Sequence, residues 1–272
     1  MRRLSFKSSI ALVGQDLVPV RDAVIDVADG EITGIGKTPG NVNIIDLGNV
    51  ILMPQLTNAH VHVLDYFLMG LYGKYYIDDV VGAPYGLKYY YLRRIKPNSL
   101  RVGLANVFRR IRDYGVGCLL TIIEYGAVFT DIVIEEAKRV GLCIVPPLAE
   151  PSSFRVYVKP EEEEDVDERF EEEVRQFTDR GGFGISLISP LNYSMAELRL
   201  ASKLTGSRGG GLISIHVSET EDTYLDGDLN RALGTLVTGN TLFVHLTQLN
   251  DDDVMKLPMR PVLYAHGPIW NS

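Results

Sequence analysis

Apolar and polar residues alternate through the first forty positions, with the period of two expected of half-buried strands. Residues 4–13, 20–28 and 31–37 predict three short strands. Asp29-Gly30 joins the last two and is a hairpin signal, because both residues tolerate the positive φ that a tight two-residue turn requires. Ile25, Val27, Ile32 and Ile35 are expected to face a small core. Residues 1–49 thus form a β-rich portion in which no chemistry is visible.

Beyond it the pattern changes. Leu100, Leu104, Val107, Phe108 and Ile111 recur at helical spacing, and Cys118 to Ile123 is a continuous apolar run, as for a strand buried on both faces. Helix 130–140, strand 142–148, strand 183–188, helix 194–204, strand 212–216, helix 227–237, strand 241–245, a short helix 250–256 and strand 262–265 follow. Between them, Lys159 to Arg180 is rich in acidic residues. Val166, Phe170, Val174 and Phe177 fall on one stripe there, so it predicts an amphipathic helix with a solvated acidic face. The tyrosine-rich segment from Tyr66 to Tyr91 has no clean period; it is read as aromatic packing or as a loop over a site.

Strands alternating with helices imply parallel β/α units. With a first strand at 50–54, the chain offers seven buried strands, one short of a (β/α)8 barrel. The fold class expected is therefore α/β: an incomplete TIM-type barrel over residues 50–272, with a small N-terminal β-sandwich portion over 1–49. A doubly wound open sheet competes, but no Gly-x-Gly-x-x-Gly follows an early strand.

Composition narrows the function classes. The net charge of −8 argues against a nucleic-acid surface. Arg93, Arg94 and Lys96 make only a small basic cluster. Cys118 and Cys143 lie in apolar runs and read as buried thiols, which fits a reducing compartment. No apolar run approaches a membrane span, and no signal-like core follows Met1-Arg2-Arg3. A cytoplasmic protein with no membrane and no nucleic-acid partner is expected.

The candidate chemistry lies in the five histidines, at positions 60, 62, 216, 245 and 266. Each falls at or just past the C-terminal end of a predicted strand, the face on which a β/α barrel gathers its functional groups. His60 and His62 are two apart, so on a strand both imidazoles turn to the same side. Neutral imidazole is a common zinc ligand. His216 carries a carboxylate three residues on, Glu219, which can act as the acid/base beside an activated water. A rival reading makes Ser218 a helix N-cap with Glu221 as its partner, and the two are compatible. His245 ends an apolar strand, where an unpartnered imidazole would be costly. His266 either lines the site, toward substrate, or is structural.

Together these residues resemble the amidohydrolase superfamily, in the metal-dependent deaminase and chlorohydrolase branch that includes cytosine deaminase. Met53-Pro54-x-Leu56-x-Asn58-Ala59-His60-x-His62 is similar to the first-strand signature of that family, and His216-x-x-Glu219-Thr220 to its fifth-strand motif. His245 resembles the sixth-strand histidine, and the segment from Ala265 to Asn271 the seventh-strand region. The resemblance implies one divalent metal, zinc first and iron as the alternative, held by His60, His62 and His216. His245 would bind metal or steer the water, and Glu219 would shuttle the proton. The strand at Gly184–Ser189 offers no lysine for a second, bridged metal. The implied function is hydrolysis of a non-peptide C–N bond, as in deamination of a heterocyclic base, with a small molecule as the substrate.

Three departures accompany the resemblance. Gln55 stands where glycine is usual, and Trp270 where serine is usual. The sequence also stops at Ser272, before the eighth strand and its metal-binding aspartate. Asp251, Asp252 and Asp253 are expected to start a helix rather than replace it. Such a chain is read as a shortened version of a longer enzyme, its edge strands open to another chain or to a homo-oligomer. The alternative function is an inactive metal-binding or scaffold homologue. A cytidine-deaminase-type site is unsupported, since it needs Pro-Cys-x-x-Cys and the two cysteines stand far apart.

Overall fold

The computed structural model describes residues 3–41, 43–70, 75–207 and 211–267. They divide into two compact units, Met1–Leu56 and Thr57–Ser272.

The first unit is one five-stranded sheet. Its strands are β1 (Arg3–Val13), β2 (Val18–Ala28), β3 (Glu31–Gly36), β4 (Ile44–Asp46) and β5 (Ile51–Leu52). The order is β3-β2-β1-β4, with β5 also paired to β1. The hairpin between β2 and β3 turns on Asp29 and Gly30, at φ 53° and 91°, as its sequence predicts. Only small residues are fully buried on this sheet, Ala11, Ala23 and Val24 together with Ser5 and Ser8. The expected core role of Ile32 and Ile35 is not met; they are 64% and 42% exposed. A polar knot replaces that core. The Asp26 carboxylate accepts hydrogen bonds from the Ser5 hydroxyl, the Gly40 amide and the Asn41 side chain.

The second unit carries a parallel sheet that curls into a nearly closed barrel of seven strand positions. Its strands are β6 (Leu56–His62), β7 (Val116–Ile123), β8 (Cys143–Ile144), β9 (Leu148–Ala149), β10 (Gly184–Leu187), β11 (Ile213–Val217), β12 (Thr241–His245) and β13 (Leu263–Ala265). The order is β13-β12-β11-β10-β9-β7-β6, and β8 joins β7 beside β9. β8 and β9 share one barrel position, expected as the single strand 142–148. Pro146 and Pro147 interrupt it because proline donates no ladder hydrogen bond.

One element is displaced from its expected place. The first barrel strand is Leu56–His62 rather than 50–54, since Ile51 and Leu52 pair with Ile10 and Ala11 of the small sheet. Both histidines therefore sit within the last three residues of a barrel strand.

Nine α-helices accompany the strands among the described residues: α1 (Ile77–Val81), α2 (Leu87–Leu92), α3 (Pro97–Asp113), α4 (Gly126–Arg139), α5 (Glu168–Asp179), α6 (Met195–Ser207), α7 (Glu221–Leu225), α8 (Asp228–Thr235) and α9 (Asp251–Lys256). α3 buries Leu100, Leu104 and Phe108, the stripe its spacing predicts. The acidic segment is helical only over α5, which buries Phe170, Val174 and Phe177; Val166 precedes it and is exposed. Asp251, Asp252 and Asp253 open α9 behind an Asn250 cap, as expected. The thiols depart from expectation. Cys143 is exposed and stands in register with Cys118 on the neighbouring strand. No helix among the described residues is long and apolar enough to cross a membrane.

Two hydrophobic clusters flank the strands. One is built by α3 and α4 against β7, around Phe108, Leu119 and Val133. The other is built by α5, α6 and α8 against β10, β11 and β12, around Phe170, Tyr193, Ile215 and Phe243. Burying a Val, Leu, Ile or Phe side chain stabilises a fold by about 1.5–3 kcal/mol, so these clusters hold the strand ends firmly enough to aim side chains.

Candidate metal centre

Strand parity and parallel register bring four imidazoles together. His60 and His62 share one face of β6, His216 is the penultimate residue of β11, and His245 ends β12. β11 and β12 are parallel, with His216 opposite Val244 and Val217 opposite His245. The ring of His60 lies 5.0 Å from that of His62, 5.1 Å from His216 and 5.4 Å from His245, edge-on to each. The ring of His216 lies nearly parallel to those of His62 and His245, at 5.1 and 5.3 Å. Ligand nitrogens of His60, His216 and His245 all lie within 4.8 Å of one another.

The outer hydrogen bonds fix which nitrogen faces inward. His216 Nδ1 donates to the Ile188 carbonyl at 2.7 Å, and a carbonyl can only accept, so Nε2 keeps its lone pair. His62 Nδ1 lies 2.7 Å from Glu124 Oε1. The carboxylate accepts there, which again turns Nε2 inward. The two Nε2 atoms end 3.0 Å apart. Two imidazole nitrogens so close need a proton or a metal cation between them. His60 Nδ1 is buried without a hydrogen-bond partner. A tetrahedral zinc with bonds of about 2.0–2.1 Å spaces its nitrogen ligands roughly 3.3 Å apart. The donor set is therefore of the type that holds such an ion.

Electrostatics separates the imidazoles. Burial, then the charges of His62, His216, His245 and Lys88, hold His60 far below the usual range. Burial and the neighbouring His62 push His216 down to about 3. For His62, burial and Lys88 act downward, but the hydrogen bond and charge of Glu124, with Asp65, outweigh them and raise it. His60 and His216 are thus neutral at pH 7, the state in which an imidazole can bind a metal.

Glu219 follows β11, and its Oε1 lies 3.5 Å from His245 Nε2. The helix start beyond it differs from expectation. Thr220 caps α7 and pairs with Thr223, in place of Ser218 with Glu221. Ser218 is instead held by the buried Asp228, whose carboxylate accepts from its amide at 2.6 Å and its hydroxyl at 3.0 Å. Ser218, His245 and Leu246 all have positive φ, of 50°, 75° and 55°. Left-handed backbone in non-glycine residues costs on the order of 1–3 kcal/mol each and persists where surrounding structure enforces it. Here it falls at the ends of the two strands that carry His216 and His245. His266 follows β13, is exposed, and its Nδ1 lies 3.1 Å from the His245 carbonyl. The segment beyond Gly267, including Trp270, lies outside the described residues.

Several site neighbours carried no weight in the sequence reading. Glu124 directly follows β7 and Glu150 directly follows β9. Both are buried, and the rule that singled out the histidines, position at a strand's C-terminal end, applies equally to them. Lys88 and Tyr89 come from α2, inside the tyrosine-rich segment. Tyr89 donates to Glu150 at 3.0 Å, whereas Tyr75 and Tyr76 are 60% and 85% exposed. A close approach seats Glu150. A Cβ on Gly126 would lie 2.7 Å from the Ala149 methyl, and only glycine lets α4 start there.

No family model matches the chain. A relative from Methanothermobacter thermautotrophicus, named "Putative aminohydrolase", is 25% identical over 269 residues, covering 93% of this chain and 65% of its own length. Among solved structures, a triazine hydrolase from Arthobacter aurescens superimposes with a TM-score of 0.76 at 12% identity, covering 98% of this chain and 65% of that one. An adenosine deaminase from Xanthomonas campestris with bound zinc gives 0.69 at 18% identity, covering 97% and 62%. The chain thus spans about two thirds of the length of these relatives. In fold, it is similar to a triazine hydrolase and an adenosine deaminase.

Proposed function

We propose that this chain carries the metal site of an amidohydrolase-type enzyme that hydrolyses a non-peptide C–N bond, with deamination of a heterocyclic base or a related compound as the reaction. The observation that carries this reading is the convergence of four imidazoles whose outward nitrogens are committed where hydrogen bonds are seen. The inward nitrogens of His62 and His216 meet at 3.0 Å. His60, His62 and His216, with His245, are the residues that would hold one divalent metal, zinc by preference. Such an ion supplies a nucleophilic water at neutral pH, by lowering its pKa toward about 7.

The remaining work falls to side chains of this chain. Glu219, beside His245, takes the proton of the attacking water and passes it to the departing nitrogen. His245 orients that exchange from the end of β12. His266 stands beside the His245 carbonyl and would face the substrate from β13. The triazine hydrolase and adenosine deaminase that share the fold support a nitrogen heterocycle as the small-molecule substrate.

The test has two arms on the same preparation. Metal analysis after zinc reconstitution should return one zinc per chain. An ammonia-release screen across pyrimidines, purines, pterins and triazines should then find turnover. Bound zinc without turnover on any of these would replace the enzyme by a metal-binding homologue, and no bound zinc would sink both.

A further inference from the structure

Beside the histidines lies a buried charged group that the proposed chemistry does not use. Lys88 is 3% exposed, and its Nζ donates to Glu124 Oε1 at 2.7 Å and lies 3.1 Å from Asp65 Oδ1. Glu124 is fully buried. The same Oε1 also receives His62 Nδ1 at 2.7 Å, while Oε2 has no hydrogen-bond partner. Two donors from different elements therefore converge on one carboxylate oxygen.

Stability does not account for this arrangement. A buried ion pair loses so much solvation that apolar residues of the same size often serve the fold equally well or better. Chemistry does not account for it either. The ammonium has almost no exposed surface, and it faces two carboxylates. What the group does accomplish is orientation. With Lys88 on one side, Glu124 is aimed so that its oxygen meets the outward nitrogen of His62.

We propose that Lys88 is a positioning residue: it holds the Glu124 carboxylate against His62 Nδ1, and so keeps His62 Nε2 turned into the histidine cluster as a metal ligand. The inference rests on the reading of the cluster as a metal centre. It differs in kind from the other side of that centre, where a backbone carbonyl orients His216 and no side chain is needed. Partners of this kind typically set metal affinity by about 10- to 100-fold.

The experiment uses the 272-residue chain and three variants: Lys88→Met, Glu124→Gln and the double variant. Zinc affinity is measured by chelator competition, and thermal stability in parallel. Each single variant is expected to bind zinc about 10- to 100-fold more weakly. Lys88→Met should also melt lower, because it strands a buried carboxylate. The double variant removes both charges and should recover the melting temperature without recovering the affinity. A merely structural pair predicts that both recover together, and that result would overturn the proposal.

A second readout needs no metal. The hydrogen-bonded Nδ1 proton of His62, assigned by its loss in His62→Asn, should appear in the downfield proton spectrum and shift or vanish in Lys88→Met. An unchanged resonance overturns the proposal whatever the zinc result. A resonance that depends on Lys88 in a chain that binds no zinc would uphold the positioning role and defeat the metal reading alone.

Discussion

The two sides of the histidine cluster are built by different physics. On the β6–β7–β9 side, His62 is oriented by charge: Glu124, Lys88 and Asp65 stand behind it, and Glu150 with Tyr89 beyond them. On the β10–β11–β12 side, His216 leans on the Ile188 carbonyl, and the strand ends are held in left-handed backbone by Asp228 and neighbouring loop bonds. A carboxylate behind an imidazole raises its basicity, whereas a carbonyl fixes the tautomer with little change of charge. The first side should therefore respond to pH and to neutral isosteres. The second should respond to loss of backbone anchoring.

The largest expected effect lies on the backbone-held side. Glu219→Gln keeps the shape but cannot carry a proton, so turnover should fall by about 10²–10⁴-fold. Zinc content, read by metal analysis, should stay at the wild-type value. A parallel loss of zinc would make Glu219 a ligand instead.

Next comes the anchor of that side. Asp228→Ala leaves the buried Ser218 amide and hydroxyl without their acceptor, at a cost of about 1–3 kcal/mol. The melting temperature should drop by several degrees at every pH. A drop confined to one pH range would show that charge, not backbone anchoring, dominates there.

The charged side is tested by Glu150→Gln. Burial, then the charge of Glu124, push Glu150 from 4.5 up to about 8, so in the fold it is protonated at pH 7. The unfolded carboxyl releases its proton above its ordinary value of 4.5. Folding then takes up a proton, and stability declines as pH rises between those two values. The amide side chain of this variant would need no proton and could still accept from Tyr89. Melting curves of chelated protein should therefore favour Glu150→Gln by a few degrees at pH 8 and above, and show no difference below pH 4. The smallest effect is expected of Tyr89→Phe, which deletes one buried hydrogen bond worth about 0.5–1.5 kcal/mol. Little change there would mean that Glu150 finds another partner.

Much of the second unit was legible because parallel strands buried on both faces leave an unmistakable mark. Cys118–Ile123 and Leu242–Val244 are apolar runs, and each observed strand lies on or within a residue or two of its expected place. The first barrel strand was the exception. Val50-Ile51-Leu52 is as apolar as a barrel strand, but which sheet such a run joins depends on partners far away in sequence; here Ile51 and Leu52 pair with Ile10 and Ala11. The small sheet misled in another way. Strict alternation would put Ile32 and Ile35 on opposite faces; a register shift between Gly34 and Ile32 sets them opposite Ile25 and Val27 instead, and both are exposed.

What the sequence determined by itself was the set of histidines that converge. Histidine spacing on a strand and position at strand ends follow from the two-residue period of β-structure and the polarity of parallel units, both local rules. What only the tertiary structure decided was everything behind those histidines: that Glu124 meets His62, that Lys88 arrives from a tyrosine-rich helix to meet Glu124, and that the Ile188 carbonyl fixes His216. These contacts join residues 28 to 62 positions apart. No periodicity reports such pairings, because they arise only when the sheet has curled and its strand ends face one another.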